Sequence, residues 1–347
     1  MKKIILSTIS CIMLVMASCS SDDDGIKPVN ISDVAGKYEA TNATVKVSGV
    51  GYDMTADQAI VISGTDSKKM SIEIPAGMVP GEENAIKFDN VVVTSTNICV
   101  FEGSTSNNDR TLNIKGSYAN KSIAVEITPE YKSNIIGAWN FAKPNIVNEE
   151  DASQVIYADV KTPTGIISFL GNDIPDAAFG QFLNVLLGQG ILRTFDDEGN
   201  FTGAIQNVTF HKDGNLTADY NLKFMQGDPQ FVASPMGGMR WYVKNNKVFL
   251  VPNLNLMARG GIASTGIPME FVISNNVISV YFTIDQIAPV MALVGPIVNG
   301  LPDEIFGDNA FLGAILKMAV TDITNMTQVA TTFSLGVTFV KDAPAAQ

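Results

Sequence analysis

From Val34 onward, hydrophobic and polar residues alternate in short runs, with turn-forming residues about every ten positions. In Ser71-Ile72-Glu73-Ile74 and Ser122-Ile123-Ala124-Val125-Glu126-Ile127 every second side chain is apolar, the period of a strand with one buried face. The pattern predicts strands at Gly36 to Val47, Gln58 to Ser63, Lys69 to Ile74, Ala85 to Thr94, Ile98 to Glu102, Thr111 to Tyr118 and Ser122 to Thr128. Between them, Gly64-Thr65-Asp66-Ser67, Ser106-Asn107-Asn108-Asp109 and Ala119-Asn120-Lys121 supply polar residues that tolerate left-handed backbone. No helical stripe interrupts the series, so residues 34–131 read as an antiparallel sandwich or barrel.

A second unit opens at Ile136-Gly137-Ala138-Trp139-Asn140-Phe141, echoing Ala35-Gly36-Lys37-Tyr38. Its hairpins repeat the asparagine turn of residues 118–125, in Tyr242-Val243-Lys244-Asn245-Asn246-Lys247-Val248-Phe249 and Ile273-Ser274-Asn275-Asn276-Val277-Ile278-Ser279-Val280. Phe210 to Leu216 turns instead on Asp213-Gly214. Three apolar stretches break the β pattern and predict helices. Pro175 to Leu192 follows the start signals Asp173 and Pro175, gathers Phe179, Phe182, Leu183, Leu186 and Leu187, and ends in Gly188-Gln189-Gly190. Ile287 to Val298 is apolar almost all round and carries Pro289, Gly295 and Pro296, whereas Ala310 to Met326 has one stripe at Leu312, Ile315, Leu316, Ala319, Ile323 and Met326. Thr331 to Lys341 then returns as a strand able to close the sheet.

The Gly-x-aromatic openings resemble the first strand of calycin-like (lipocalin-like) barrels, in which the aromatic plugs the closed end. The serial hairpins are similar to those of Bacteroidetes-type calycin-like lipoproteins and of related two-domain lipoproteins of unknown function. With the pattern above, this gives a mainly β fold of two antiparallel β-barrel or sandwich (calycin-like) domains, the second locally α+β through its three helical insertions. The expected organisation is a signal peptide at 1–18, a lipidated acidic linker at 19–33, a first β domain at 34–131, a second β domain with helices at 135–342 and a disordered tail at 343–347.

The leader follows a different pattern. Lys2 and Lys3 precede an apolar centre from Ile4 to Met16, and the small residues Ala17-Ser18 lead to Cys19. The run is too short for the roughly 20 residues of a spanning helix, and Ser7, Thr8 and Ser10 dilute it. Ala17-Ser18-Cys19 resembles the lipobox of bacterial lipoproteins, which implies that Cys19 is acylated and becomes the mature N-terminus; an ordinary signal peptide ending near a cysteine is the alternative. Ser20-Ser21-Asp22-Asp23-Asp24 is similar to the surface-export signal of Bacteroidetes-type lipoproteins, and suits a solvated acidic linker equally well. The implied partner is outer-membrane lipid, reached through the Cys19 acyl chains, with the protein at the cell surface or, alternatively, on the periplasmic face.

Charge and cysteine usage narrow the chemistry. The chain has 23 Lys and Arg against 35 Asp and Glu, a net charge of −12, which becomes −14 once Lys2 and Lys3 leave with the leader. Nucleic acid is therefore not an expected partner, because phosphate binding needs a cationic face. Of three cysteines, Cys11 leaves with the leader and Cys19 takes lipid, so Cys99 remains alone in a strand pattern and no disulfide-linked partner is expected. The single histidine, His211, sits beside the Asp213-Gly214 turn, and without a second histidine or a mature cysteine pair the common triads and zinc sets cannot form. Asp196-Asp197-Glu198-Gly199-Asn200 lacks the spacing of a calcium loop, and Glu149-Glu150-Asp151 reads as a charged loop. Gly237-Gly238 and Gly260-Gly261 lack the context of a phosphate loop, so neither a cofactor nor a metal is expected.

One compositional bias remains. Met225, Met236, Met239, Met257, Met269, Met291, Met318 and Met326 all fall in the second unit, near Phe224, Phe231, Trp241, Phe249, Phe271 and Phe282. Such side chains line cavities for irregular apolar ligands, and they also serve as ordinary core filling. Trp139 and Trp241 read either as core plugs or as platforms for a sugar ring. The candidate ligand-binding residues are thus Trp139, Met239, Trp241, Met269 and Met291, with Cys19 as the lipidation site and no catalytic residue assigned. The expected function is that of a non-enzymatic, lipid-anchored cell-envelope protein binding an apolar small molecule or lipid in its second domain. The alternatives are a structural or adhesive protein, a glycan-capture accessory lipoprotein and an envelope hydrolase.

Overall fold

The period-two segments of the first unit build one curled sheet. The computed structural model describes residues 31–66, 69–95, 99–141, 155–192, 196, 198, 200–224, 227–252, 266–274, 276–300 and 310–341; Cys19 with its leader and the linker up to residue 30, Glu149 to Asp151, Met225, Met257, Gly260-Gly261 and the tail lie outside the described residues. A short helix, α1 (Ile31–Val34), leads into β1 (Gly36–Tyr38), β2 (Ala43–Val47), β3 (Val50–Tyr52), β4 (Ile60–Asp66), β5 (Lys69–Ile74), β6 (Ile86–Ser95), β7 (Cys99–Ser106), β8 (Arg110–Ala119) and β9 (Ser122–Tyr131). Strands β4 to β9 form an antiparallel meander, with β1 on the β4 edge and β2 followed by β3 on the β9 edge.

The segment Gly36 to Val47, continuous in the sequence pattern, is thus two strands on opposite sides of the sheet. The turn at 39–42, held by the Asn42 side chain accepting from the Glu39 N–H at 2.7 Å, carries the chain across. Because β2 arrives from that side, it pairs with β9 in parallel, and the sheet curls into a half-barrel rather than closing as an antiparallel barrel. Its inner face is apolar, with Ile60, Ile72, Phe88, Phe101, Leu112 and Ile127 all buried, except at one end, where buried Arg110 pairs with Glu82. Gly116 leaves room for the Phe101 ring, since a Cβ there would lie 2.4 Å from the ring carbon Cζ.

The second sheet closes. Its strands are β10 (Gly137–Asn140), β11 (Ile156–Lys161), β14 (Ile205–Phe210), β15 (Asn215–Asn221), β16 (Phe231–Ala233), β17 (Met239–Lys244), β18 (Lys247–Pro252), β19 (Ile267–Ser274), β20 (Val277–Thr283) and β21 (Thr332–Val340), with β12 (Ile166–Phe169) and β13 (Asn172–Pro175) forming a separate hairpin. The order β10-β14-β15-β17-β18-β19-β20-β21 is an antiparallel meander, and β21 pairs back onto β10 at Val340 and Asn140 to complete an eight-stranded barrel. The returning segment expected at Thr331 to Lys341 is this closing strand. Strand β11 adds to the outside of β21, and β16 to β15. The tight turns follow the asparagines: Asn120 and Lys121 have φ of 51° and 62°, Asn245 and Asn246 of 51° and 58°, as type I′ hairpins require.

The three apolar stretches are helical. They form α2 (Asp176–Leu183), continued by a π-helical segment (Asn184–Leu192), then α3 (Ile284–Asn299) and α4 (Ala310–Val329). Pro175 is the last residue of β13 and caps α2, one position earlier than a first-turn proline. No helix among the described residues is long and apolar enough to cross a membrane.

The two Gly-x-aromatic openings share one device. The Tyr38 hydroxyl donates to the Val34 carbonyl at 2.5 Å and the Trp139 indole N–H to the Ile135 carbonyl at 2.7 Å, each reaching back four residues to satisfy the polar atom of a buried aromatic. Between the sheets, the base of the barrel sits on the end of the half-barrel. The Tyr131 N–H donates to the Lys212 carbonyl at 2.9 Å, Arg240 reaches the Val47 carbonyl at 2.6 Å, and Lys212 and Lys244 pair with Glu130 and Glu83, both at 2.7 Å.

Candidate functional site

Strand register decides what faces the inside of the barrel. Trp241 lies opposite Leu250, Met239 opposite Leu216, Val248 opposite Met269, and Val280 opposite Val337, so the inner wall is apolar on every strand. At the base the wall is filled. Trp241 is completely buried and meets the rings of Tyr131 and Phe210, each at a centroid distance of 5.3 Å. Its indole N–H donates to the His211 carbonyl at 3.0 Å. Trp139 is also buried, with the Lys341 ammonium 5.2 Å from its ring centre.

The wall is unevenly covered: Val208 and Leu250, directly opposite Trp139 and Trp241, are only half-buried, as are Met239, Val337 and Phe282, the last at the end where β20 runs into α3. This end meets a layer built from α2, α3, α4 and β11 to β13. Phe179, Leu183, Ile287, Met291, Val320 and Met326 form its core. Leu192, Phe282 and Val337 pack against both this core and the barrel interior, so the apolar inside runs without a break into the helical layer.

The cover is tied down at two points. At the start of α3, Gln286 accepts from the Thr283 N–H at 2.9 Å and donates to Glu270 at 3.1 Å, and Glu270 also pairs with Lys247 at 2.8 Å. At α4, the Asp322 carboxylate accepts from the Leu170 N–H at 2.8 Å. Leu170 sits in the β12–β13 turn at φ 51°, a left-handed conformation that costs a leucine about 1 kcal/mol. Its half-buried side chain packs on the core of the helical layer. Within α3, Pro289 and Pro296 each remove an N–H from the helical ladder.

The nominated residues separate into two groups. Trp139, Met239, Trp241 and Met269 share the inner wall, the tryptophans and Met269 in its buried core and Met239 half-buried. Met291 lies in the core of the helical layer. What sequence reading missed is β11 with the β12–β13 hairpin, which completes the cover; the alternation in Ile156-Tyr157-Ala158-Asp159-Val160 was the available signal. Outside the barrel, α2 and the outer faces of β20 and β21 border a cleft of about 540 Å³, and Gly171, Asn299, Lys317 and Asp322 border a smaller one of about 260 Å³.

The polar candidates are occupied locally. His211 is half-buried, with Nε2 2.7 Å from the Thr217 hydroxyl, and the Asp196 carboxylate accepts from the N–H groups of Glu198 and Asn200 in its own turn. Burial pushes the Tyr242 hydroxyl up to about 12 and raises Tyr131 as well, while it lowers Arg240 from the usual arginine value. Among the described residues, no three His, Cys, Asp or Glu side chains gather as a metal-binding group. Comparison with protein-family models, with curated proteins and with solved structures gives no match.

Proposed function

We propose that this is a non-enzymatic, lipid-anchored cell-envelope protein whose barrel takes an apolar molecule, such as an acyl chain, between its plugged base and its helical cover. The observation that carries the reading is the uneven filling of the inner wall. Buried aromatic side chains fill part of it, whereas Met239, Leu250, Phe282 and Val337 are half-buried, and Phe282 and Val337 join it to the core of the helices. Burying apolar ligand surface there gains about 25 cal/mol per Å². The proline-interrupted α3, tied to β19 through Gln286 and Glu270, provides the cover. Acylation of Cys19 provides the anchor, and the acidic segment after it holds the two sheets away from the bilayer.

The test is native mass spectrometry of detergent-solubilised full-length protein, together with displacement of a fluorescent fatty acid by laurate. Co-purified lipid or saturable displacement, weakened by Met239→Glu, is the expected result. Protein that carries no lipid and binds no probe overturns the reading.

A further inference from the structure

We infer that the cleft between α2 and the outer faces of β20 and β21 is a binding site for a neutral saccharide. Val277, Ser279 and Thr338 alternate with the inner-wall residues Ile278, Val280 and Val337, so they line the cleft from the outer face of the barrel wall, while Ile156 and Ala158 of β11 border it beside α2. Its volume, about 540 Å³, falls within the roughly 300–1,000 Å³ usual for small-molecule sites.

The lining determines the class of ligand. Tyr157, Gln181, Val277, Ser279 and Thr338 face it, and among the described residues no carboxylate, ammonium or guanidinium group does. In a chain of net charge −12 these described residues form a neutral surface, and a charged ligand finds no counter-charge among them. The Ser279 and Thr338 hydroxyls lie 2.9 Å apart; sharing one hydrogen bond between them leaves one O–H and several lone pairs free. The Gln181 amide is exposed and adds donors and an acceptor. Tyr157 supplies an aromatic surface, fixed from behind by Tyr281 at a centroid distance of 4.5 Å and an interplanar angle of 27°. Both tyrosines lie opposite Gly336 in the register, where a Cβ would come within 2.5 Å of the Tyr281 Cβ. A pyranose presents a C–H face for a ring and a rim of hydroxyls for amide and hydroxyl partners, and the cleft offers both.

The site is also preformed. Asn184, buried, accepts from the Ile156 N–H at 2.7 Å and donates to the Ile156 and Gly180 carbonyls at 3.1 and 3.0 Å. This pins α2 against β11 and occupies the β11 backbone at that point, so an added peptide strand is not the natural occupant.

The experiment uses detergent-solubilised full-length protein and neutral tetra- to hexasaccharides of glucose, mannose, galactose and N-acetylglucosamine, read by saturation-transfer NMR. Transfer to the ring protons of at least one probe is expected. Affinity should fall about tenfold in Gln181→Ala and in Tyr157→Ala, the loss of one hydrogen bond or ring contact. Met239→Glu should leave it unchanged, and circular dichroism confirms that each variant is folded. No transfer from any probe, or unchanged affinity in both cleft variants, overturns the inference. Laurate binding that is lost in Gln181→Ala but kept in Met239→Glu also overturns it, by assigning the cleft to an apolar ligand.

Discussion

Asn215 and Ser48, 167 residues apart, join the two sheets: the buried Asn215 amide donates to the Ser48 carbonyl at 3.3 Å, and the Ser48 hydroxyl donates to the Asp213 carbonyl at 2.6 Å. Asn215 also accepts from the Gly237 N–H at 3.0 Å and donates to the Asp213 carboxylate at 2.8 Å. One fully buried side chain thus holds the barrel's Asp-Gly hairpin, the start of β17 and the β2–β3 turn of the other sheet. Replacing Asn215 with alanine leaves the Gly237 N–H and the Ser48 carbonyl without this partner, so Asn215→Ala should lower the unfolding free energy by about 2–3 kcal/mol. Urea denaturation followed by circular dichroism measures it, and a loss well below 1 kcal/mol would contradict the assignment.

Trp241 and Met239 lie two residues apart on the same wall and should answer differently. Trp241→Ala empties the sealed base and should cost about 3–5 kcal/mol. Met239→Ala, at a half-buried position, should cost at most about 2 kcal/mol while weakening fatty-acid displacement. Thermal unfolding and probe titration of the two variants separate plug from binding wall.

Alkali should unfold the protein through its buried phenols. Burial pushes Tyr38 and Tyr242 up to about 12 and raises Tyr131 further. The ordinary tyrosine value near 10 applies to the unfolded chain. Groups raised in this way contribute stability that is fully present below pH 10 and lost as pH climbs through the folded values. Denaturation midpoints should therefore fall steadily from about pH 10 to pH 12, alongside delayed phenolate absorbance. Tyr242→Phe should flatten part of that fall.

Cys19→Ala should abolish incorporation of labelled palmitate and release the protein from the membrane fraction. Cys99, the buried thiol of the first sheet, offers no substitute because it is packed among apolar side chains. Labelling that persists in the variant would place the lipid elsewhere.

Much of the fold is legible in single segments. Alternation in Ser122 to Ile127 marks β9, Asn245-Asn246 marks the hairpin between β17 and β18, and the stripe along Ala310 to Met326 marks α4. Each is a local signal, set by side-chain period or by backbone that tolerates positive φ. The candidate site is less legible. Trp139, Met239, Trp241 and Met269 were recognisable as apolar and adaptable, but nothing local separates a residue that seals a barrel from one that lines it. Met291 looked like their companion and sits in the core of the cover. Tyr157 and Gln181 carry no local mark at all, because their cleft exists only where α2 settles beside β11.

The sequence by itself determined the fold class of the protein: strands from period two, turns from asparagine and glycine, helices from the wider apolar stripes, in an acidic chain with three cysteines. These are properties of neighbouring residues, and neighbours suffice to fix them. Only the tertiary structure decided that the second sheet closes through Asn140 and Val340 while the first stays open, with β2 parallel to β9. It also decided that the helices cover the end of the barrel where β20 runs into α3. Closure depends on where a strand more than one hundred residues away comes to lie, and strand period records which face is buried, never which partner lies beside it.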